Sequence, residues 1–371
     1  MGKDLHAKPF DEGTLKKLEI FQLYTREWLP TFLMSKCEAI WIFDFFAGTG
    51  YDKAHKPGSP IRILEEINKQ IGNVFKSKTK LYLIFNEYDK VKYSLLKDTC
   101  DRYVNSNPNL LRAHNIHLLN YKVVNMDFAE LFQRTISIIK KYPSLVFLDQ
   151  NGVKFISDEY FLPLVNSHCT DFLYFLSSSY IKRFGNTDEF KRSISIDLKP
   201  LEDKPATWIH RNILEELRKR IPKGNKTRLY PFSIKKGCNV YGIIFGASHP
   251  RAVDKFLSTA WKENSINGEA NFDIDDDQNN GQPDLFGNVV LTKIMQFQAS
   301  LRKKILSKEL VSNKDVYKYT LEHGHIPAHA VDELKEMKKE GLVNFGKSPL
   351  INYPQVYQKK NIINYTTNAD N

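Results

Sequence analysis

The sequence has no long uninterrupted apolar stretch. No apolar run approaches the roughly 20 residues that a helix needs to cross a bilayer. The first residues, MGKDLHAKPFDEGTLKK, also contain no apolar core of the kind found in secretory signals. The sequence therefore predicts a cytoplasmic protein without a membrane partner.

Cysteine is scarce as well. The four cysteines are widely spaced and form no CxxC pair; they are Cys37, Cys100, Cys169 and Cys238. Neither a zinc site built from cysteines nor a disulfide framework is therefore indicated. We expect buried thiols and no metal site.

Positive charge is in excess. The 54 Lys and Arg residues outnumber the 43 Asp and Glu residues, and the resulting charge of +11 is concentrated in residues 180–240 and 287–371. Basic surfaces of this kind favour a polyanionic partner, so we expect the protein to bind nucleic acid, either DNA or RNA. With 42% hydrophobic residues in 371 positions, the chain is long and apolar enough for two domains.

Short apolar runs alternate with helical patterns along the first part of the chain. The runs that predict strands are residues 39–46, 80–89, 121–128, 144–152 and 171–179, and residues 228–248 predict an antiparallel hairpin. Strands buried on both faces and separated by helices are typical of a parallel sheet covered on both sides. We therefore predict an α/β fold with a Rossmann-like, mostly parallel sheet, and chemistry at the carboxyl ends of its strands.

The stretch FDFFAGTG, residues 43–50, places two glycines directly after the first strand. Such a turn lets the backbone approach a ligand closely and exposes the start of the next helix. No Lys-Ser or Lys-Thr follows the glycines, which argues against a triphosphate P-loop, and the third glycine of the dinucleotide fingerprint is missing. Of the candidate ligands for such a turn, which are dinucleotides, nucleoside triphosphates and S-adenosylmethionine, the last remains as the expected cofactor. Gly48 and Gly50 would also suit a tight turn without a ligand.

This stretch resembles the first motif of class I S-adenosylmethionine-dependent methyltransferases, especially those that act on nucleic acid. The resemblance implies a methyltransferase sheet and assigns cofactor binding to Asp44, Phe46, Ala47, Gly48, Thr49 and Gly50. It also implies a ribose-binding acid after the second strand, with Glu87 as first choice and Asp89 as second, and an adenine-binding Asp127 after the third. The alternative is that Glu87 or Asp89 caps helix 91–104 and that Asp127 caps helix 129–141, and a cap can coexist with ligand binding.

The fourth strand ends in Asp149-Gln150-Asn151-Gly152, where amino-directed methyltransferases carry D/N-P-P-Y/F. The resemblance makes Asp149 and Asn151 the catalytic candidates, with Asp149 accepting a proton of the target nitrogen. Gln150-Asn151 departs from the motif because it removes the proline geometry and the aromatic ring that stacks on a flipped base. An ordinary Asn-Gly turn is the alternative interpretation.

Basic and aromatic residues that suit phosphate and base contacts occur in three places. They are Tyr180, Lys182 and Arg183 after the fifth strand, Lys235 and Lys236 in the hairpin, and Lys335, Lys338 and Lys339 near the C-terminus. The last three belong to a stretch, residues 313–353, that resembles a winged helix-turn-helix, a module that binds DNA or docks proteins. We expect residues 290–322 and 327–340 to be helices, and we expect no metal at His323, His325 and His329.

A closer resemblance covers residues 15–345. It rests on DFFAGTG, KPGSP (56–60), FLDQNGVKFIS (147–157), DFLYFLSSSYIKRF (171–184), PFSIKKG (231–237) and GEANFDID (268–275), which are similar to the three-Cys-motif partner family, TcmP. That family is named for a neighbouring protein thought to resemble radical S-adenosylmethionine enzymes. The resemblance implies such a partner protein for this chain.

Two functions are compatible with the sequence. One is a methyltransferase acting on nucleic acid; the other is a catalytically inactive subunit that binds nucleic acid or recruits substrate for its partner enzyme. The expected organisation is a methyltransferase-like domain at 1–265, an acidic linker at 266–286 and a winged-helix-like domain at 287–371.

Overall fold

A computed structural model describes residues 9–150, 154–177, 206–237, 239–282 and 289–367. The chain divides into two compact units, Met1–His249 and Pro250–Asn371, which we call the N-terminal unit and the C-terminal unit. The division falls before residue 250, whereas the sequence predicts a first domain that extends to residue 265.

The N-terminal unit contains a seven-stranded sheet. Its strands are β1 Ala39–Asp44, β2 Lys80–Asn86, β3 Leu119–Val124, β4 Ser144–Leu148, β5 Thr170–Ser177, β6 Arg228–Lys236 and β7 Asn239–Ala247. The order across the sheet is β3-β2-β1-β4-β5-β7-β6, with β1 to β5 parallel and β7 antiparallel to both of its neighbours. The predicted α/β fold, a mostly parallel sheet closed by a hairpin, is confirmed.

Helices lie between the strands. Those within the described residues are α1 Glu12–Ser35, α2 Ser59–Lys69, α3 Ile71–Ser77, α4 Lys90–Ser106, α5 Pro108–Asn115, α6 Phe128–Lys141, α7 Asp158–Val165 and α8 Ala206–Arg220. A single 3-10 turn, Lys154–Ile156, precedes α7. The helices α2, α3 and α5 were not predicted, because α3 and α5 are short and α2 begins at the Ser59-Pro60 pair that reads as a turn.

Aromatic side chains join the helices to both faces of the sheet. On one face Phe21 of α1 stacks on Phe147 of β4, with ring centroids 4.1 Å apart. On the other face Phe45, directly after β1, packs edge-on against Phe128 of α6 at 5.1 Å. These ring contacts pack α1 and α6 onto opposite faces of the sheet, so the ends of the strands lie between two helical layers.

The C-terminal unit is built from helices and a small sheet. Its described elements are α9 Pro250–Glu263, α10 Lys293–Leu306, α11 Asn313–Glu322, α12 Pro327–Lys339, the π-helix Pro354–Gln358, and the antiparallel strands β8 Val343–Asn344 and β9 Thr366–Thr367. The α11-turn-α12 pair followed by a two-stranded sheet is a winged helix-turn-helix, as the sequence predicts. We call residues 345–365, which connect β8 to β9, the wing.

The predicted helix over residues 290–322 is interrupted. Helix α10 ends at Leu306, and Lys308 adopts a left-handed backbone with φ of 59°. Ser312 then starts α11 with a capping box, in which Ser312 and Asp315 satisfy each other's backbone N–H groups. The prediction of one continuous helix was wrong because a strong local start signal divides the periodic pattern.

The acidic stretch is locally folded in its described part, residues 266–282. Asn267 Oδ1 accepts hydrogen bonds from the backbone N–H groups of Glu269 and Ala270, at 3.0 and 3.2 Å. Asp273 likewise accepts from the N–H groups of Asp277 and Gln278. These side chains satisfy backbone donors that an extended linker would leave to water.

Two expectations about the whole chain can be compared with the described residues. Cys100 is buried, but Cys37 is half-buried and Cys169 is exposed, so the expectation of uniformly buried thiols was wrong. None of the helices in the described ranges combines the length and the apolar character needed to span a membrane.

Candidate functional site at the carboxyl ends of the strands

The carboxyl ends of β1 to β4 meet at one edge of the sheet. Asp44 is in register with Phe85 of β2 and with Phe147 of β4, and β2 is in register with β3 through Asn86 and Val124. The residues that follow these strands therefore lie along a single edge. This edge brings together the predicted residues of all four motifs, with the exception of Asn151, which lies outside the described residues.

The turn after β1 has the backbone conformation that glycine permits. Gly48 and Gly50 have φ angles of 67° and 86°. A Cβ atom on Gly50 would lie 2.8 Å from Cγ2 of Thr99 in α4, so this position also lacks the space for a side chain. The conformation explains both glycines, and close packing is a second reason at Gly50.

One buried side chain, Asn86, connects the ends of three strands. Its Nδ2 donates to the carbonyl oxygens of Phe45 and Met126, at 3.2 and 3.0 Å, and its Oδ1 accepts from the Met126 N–H at 3.1 Å. The Asn86 carbonyl also accepts from the N–H of Ala47 at 2.8 Å. Sequence analysis missed this residue, and the available signal was an amide at the last position of an apolar strand.

The structure separates the two candidates for the ribose acid. Glu87 Oε2 accepts a hydrogen bond from the Gly48 N–H at 3.1 Å, so this carboxylate lies against the glycine turn. Asp89 instead caps α4 by accepting from the N–H groups of Val91 and Lys92. Glu87 is the better candidate because it contacts the glycine turn. Asp89 caps α4 through Oδ1 alone, so the cap role does not by itself exclude it from a site.

Asp127 caps α6 by accepting a hydrogen bond from the Ala129 N–H at 2.8 Å. Its side chain is exposed at the edge. The neighbouring Asn125 donates from Nδ2 to the carbonyl oxygens of Glu87 and Tyr88, at 2.8 and 2.7 Å. The cap role uses one carboxylate oxygen of Asp127, so the second remains available to a ligand.

Asp44 is fully buried and incompletely hydrogen-bonded. Its Oδ1 accepts from the Phe46 N–H at 3.2 Å, whereas Oδ2 has no hydrogen-bond partner within the described part of the chain. Burial raises the pKa of Asp44 to about 7, against the opposing effects of the Ser59 hydroxyl and of the Phe46 N–H. A buried carboxyl oxygen without a partner is the feature expected where a ligand supplies the missing donor.

Asp149 forms an ion pair with Lys17 of α1. Lys17 is only 6% exposed, and its ammonium lies 4.2 Å from the centroid of the Phe175 ring. Sequence analysis missed this lysine. The signal was a cation at a position of the apolar stripe of α1 that continues through Phe21 and Tyr24.

Gln150 occupies the place where the amino-directed motif has proline. Its Oε1 accepts from the Phe155 N–H at 2.8 Å, while its Nε2 is buried without a partner among the described residues. Phe155 in turn packs against Phe46 and Phe128, with centroids 5.7 and 4.1 Å away. The Phe46 ring thus belongs to an aromatic cluster.

A cavity of about 510 Å³ lies between the 49–55 loop and α4. Its α4 wall extends from Leu95, about one and a half turns beyond the start of α4 at Lys90, to Ser106. The cavity reaches the glycine turn through Thr49, but Asp44, Glu87, Asp127 and Asp149 do not line it.

The predicted basic residues differ in their environments. Lys236 forms an ion pair with Asp11 at 2.5 Å, and Lys235 is exposed at the end of β6. Tyr180, Lys182 and Arg183 lie outside the described residues. In the C-terminal unit a cavity of about 380 Å³ brings together the three predicted lysines and one that was missed; the four are Lys335, Lys338, Lys339 and Lys347.

Two histidines of the C-terminal unit, the buried His325 and the half-buried His329, lie against each other. His325 Nδ1 lies 3.0 Å from His329 Nδ1, and the His325 ring stacks on Phe297 at 4.1 Å. Burial lowers the pKa of His325 to about 2 and that of His329 to about 4. Both rings are therefore neutral at physiological pH.

Comparison with known proteins gives a match to a family model and likenesses to solved structures. A family model described as a GMT-like winged helix-turn-helix domain matches residues 273–346. A structure described as a methyltransferase, yhhF from Escherichia coli, is 15% identical, covers 61% of this chain and 86% of its own, and has a TM-score of 0.27. The DszA carbon methyltransferase is 12% identical, covers 64% of this chain and 57% of its own, and has a TM-score of 0.34.

No curated protein matches this sequence. The N-terminal unit has an α/β fold with a mostly parallel seven-stranded sheet. In the C-terminal part of the chain, residues 273–346 match the GMT-like winged helix-turn-helix model.

Proposed function

We propose that this protein binds S-adenosylmethionine and acts on nucleic acid as a methyltransferase of the TcmP type, together with a radical-S-adenosylmethionine-like partner. The observation that carries the proposal is the convergence of Asp44, Glu87, Asp127 and Asp149 at one edge of the sheet, after four successive strands of the α/β fold. The edge suits a sulfonium nucleoside because it combines carboxylates with the glycine turn.

The residues at this edge fit the parts of the cofactor. Asp44 and the backbone of Gly48 to Gly50 would hold the methionine part, since Asp44 Oδ2 lacks a donor. Glu87 would accept hydrogen bonds from the ribose hydroxyls, and Asp127 one from the adenine amino group. When bound, the cofactor supplies an electrophilic methyl group. Asp149, oriented by Lys17, would position the target atom.

Glu87→Gln is expected to weaken binding of S-adenosylhomocysteine by about 10-fold to 100-fold, because hydrogen bonds to a charged acceptor contribute about 1.5–3 kcal/mol. Isothermal titration calorimetry measures this effect. Asp89→Asn is the matched control, since Asp89 caps α4 and should change the affinity less than about threefold. Equal losses in the two variants would remove Glu87 from the proposed site.

The C-terminal unit and the +11 charge support nucleic acid as the acceptor. The partner protein rests on the resemblance to TcmP. Methyl transfer from labelled S-adenosylmethionine to DNA and to RNA, assayed with and without that partner, tests the activity. Transfer to neither nucleic acid under both conditions would contradict the proposal.

A catalytically inactive subunit is the second candidate, and the ion pair between Asp149 and Lys17 favours it. A carboxylate already neutralised by a buried ammonium is a weaker acceptor for an amine proton. In the enzyme, Asp149→Asn is expected to reduce methyl transfer by about 100-fold or more, because one oriented contact in a transition state contributes about 3 kcal/mol.

In an inactive subunit, the same variant keeps its biological activity, and deletion of residues 287–371 abolishes it. Each variant is first shown to be folded by circular dichroism, because Asp149 also has a structural role. Loss of biological activity in folded Asp149→Asn would eliminate the inactive-subunit interpretation.

A further inference from the structure

The first half of helix α12 lacks the side chains that make bidentate contacts to guanine and adenine. Residues 327–333, PAHAVDE, contain no Arg, Lys, Asn or Gln. The exposed positions of this half include Ala328 and Asp332. In a helix-turn-helix this half usually enters the major groove, and here Asp332 would repel phosphate groups.

The cations of α12 lie instead at its C-terminal end. There Lys335, Lys338 and Lys339 line the cavity of about 380 Å³ together with Lys347 and the residue Ser348 of the wing. Four ammonium groups and a hydroxyl around one concave surface are a set of donors for anionic oxygen atoms. Phe345 and Pro349 form the apolar part of the lining.

Lys338 fixes the start of the wing to the helix. Its Nζ donates to the carbonyl oxygens of Phe345 and Gly346, at 2.5 and 2.8 Å, and lies 4.6 Å from the Phe345 ring centroid. These bonds hold Lys347, the next residue, beside the end of α12. Lys338 is therefore mainly a positioning residue for this surface.

The remaining lysines differ in their availability. Lys339 pairs with Glu336 at 2.5 Å, and this pair is exposed. Within the described residues, neither Lys335 nor Lys347 forms an ion pair, and both are exposed. These two ammonium groups are the ones that a ligand anion can neutralise without breaking an existing interaction.

We propose that this cavity binds the phosphate groups of a nucleic acid backbone, and that the C-terminal unit thereby holds nucleic acid without reading its base sequence. The inference deepens the proposed function and depends on its choice of nucleic acid as partner. Phosphate contacts fix the position of a protein on a strand but carry no base information. Recognition of the target base is then left to the N-terminal unit.

The proposal has a quantitative signature in the dependence of binding on salt. Each neutralised phosphate contributes about −0.9 to the slope of log K against log salt for duplex DNA. Removing Lys335 and Lys347 together is therefore expected to reduce the magnitude of the slope by about 1.8 and to weaken binding by about 10-fold or more at low salt. The loss should be equal for all sequences.

The test uses the full chain and fluorescence anisotropy with labelled duplexes. Two DNA duplexes of unrelated sequence are expected to bind with affinities within about threefold of each other, since backbone contacts do not discriminate bases. A duplex RNA and a single strand show which nucleic acid supplies the phosphates. The double variant Lys335→Ala/Lys347→Ala is compared with Lys303→Ala/Lys359→Ala, which removes the same charge from exposed positions outside the cavity.

Three results would overturn the proposal. One is a preference of about 100-fold or more for one DNA sequence, which requires base readout. Another is an equal change of salt slope in the two double variants. The third is the absence of binding to any nucleic acid at low salt, which would favour an acidic protein as the partner of this surface.

Calorimetry with S-adenosylhomocysteine separates this inference from the proposed function. The variant Lys335→Ala/Lys347→Ala is expected to retain the cofactor affinity of the unaltered protein, which also shows that it is folded. If the unaltered protein binds S-adenosylhomocysteine and binds nucleic acid with sequence specificity, only the inference about the C-terminal unit is contradicted. If the unaltered protein binds nucleic acid without sequence preference but does not bind S-adenosylhomocysteine, only the proposed cofactor site is contradicted.

Discussion

Asp149→Ala is expected to lower the free energy of unfolding by about 3 kcal/mol, because it leaves a buried ammonium without its counter-charge. Lys17 is 6% exposed, but the Asp149 side chain is 22% exposed. Because Asp149 is partly solvated, we expect a loss of stability at the lower end of the range for broken buried ion pairs. Urea denaturation followed by the near-UV signal of the N-terminal unit measures the change.

The pair can be separated from a general loss of charge by two further variants. Lys17→Met/Asp149→Leu is expected to recover most of the stability, since an apolar pair needs no counter-charge. Asp98→Ala, which removes the exposed partner of Arg102, should cost less than about 1 kcal/mol. Equal effects of Asp149→Ala and Asp98→Ala would show that Lys17 is solvated in solution.

The stability of the C-terminal unit is expected to fall as the pH is lowered from about 7 to about 5, by about 2 kcal/mol for each of two histidines. Burial lowers the pKa of His325 to about 2 and of His329 to about 4, with Lys293 acting in the same direction on both. The pKa of histidine in the unfolded chain is 6.5, so below that pH the unfolded chain takes up protons that the folded rings do not bind. Acid therefore favours unfolding of this unit.

The N-terminal unit is expected to respond in the opposite direction over the same interval. Burial raises the pKa values of Asp44 and of Asp171 to about 7, and the Asp171 carboxylate accepts a hydrogen bond from Tyr24 at 2.7 Å. In the unfolded chain the pKa of aspartate is 3.8, so between about pH 7 and about pH 5 the folded state holds protons that the unfolded chain releases. Each group adds about 2 kcal/mol of stability as the pH falls from about 7 to about 5.

Hydrogen–deuterium exchange of the full chain resolves the two responses in one experiment. After correction for intrinsic rates, protection in α11 and α12 should decrease on acidification and protection in β1 and β5 should increase. His325→Phe/His329→Leu should abolish the acid response of the C-terminal unit and leave that of β1 and β5 unchanged. Parallel loss of protection in both units would contradict the assignment of buried neutral carboxyls.

The parallel strands and the glycine turn were predictable from the sequence. A strand that is covered on both faces is a continuous apolar run, and the positive φ angles of Gly48 and Gly50 leave few other residues possible. The position of each acid after its strand followed from the same pattern. These features depend on local sequence and on the geometry shared by all parallel sheets.

The contacts of the site were not predictable in the same way. Lys17 and Asp149 are far apart in sequence, and their pairing depends on how α1 packs across the sheet. The choice of Glu87 over Asp89 depended on which carboxylate reached the Gly48 N–H and which capped a helix. The sequence offers both acids the same role, whereas the tertiary structure gives them different hydrogen-bond partners.

Asn86 has a consequence for how this edge can vary and move. Because one amide ties the backbone beside Phe45 to that beside Met126, the starts of the loops after β1 and β3 cannot shift independently. The segment after β3 is short, residues 125–127, so differences in length and motion fall to the longer loop after β1, residues 45–58, whose start is fixed by Asn86.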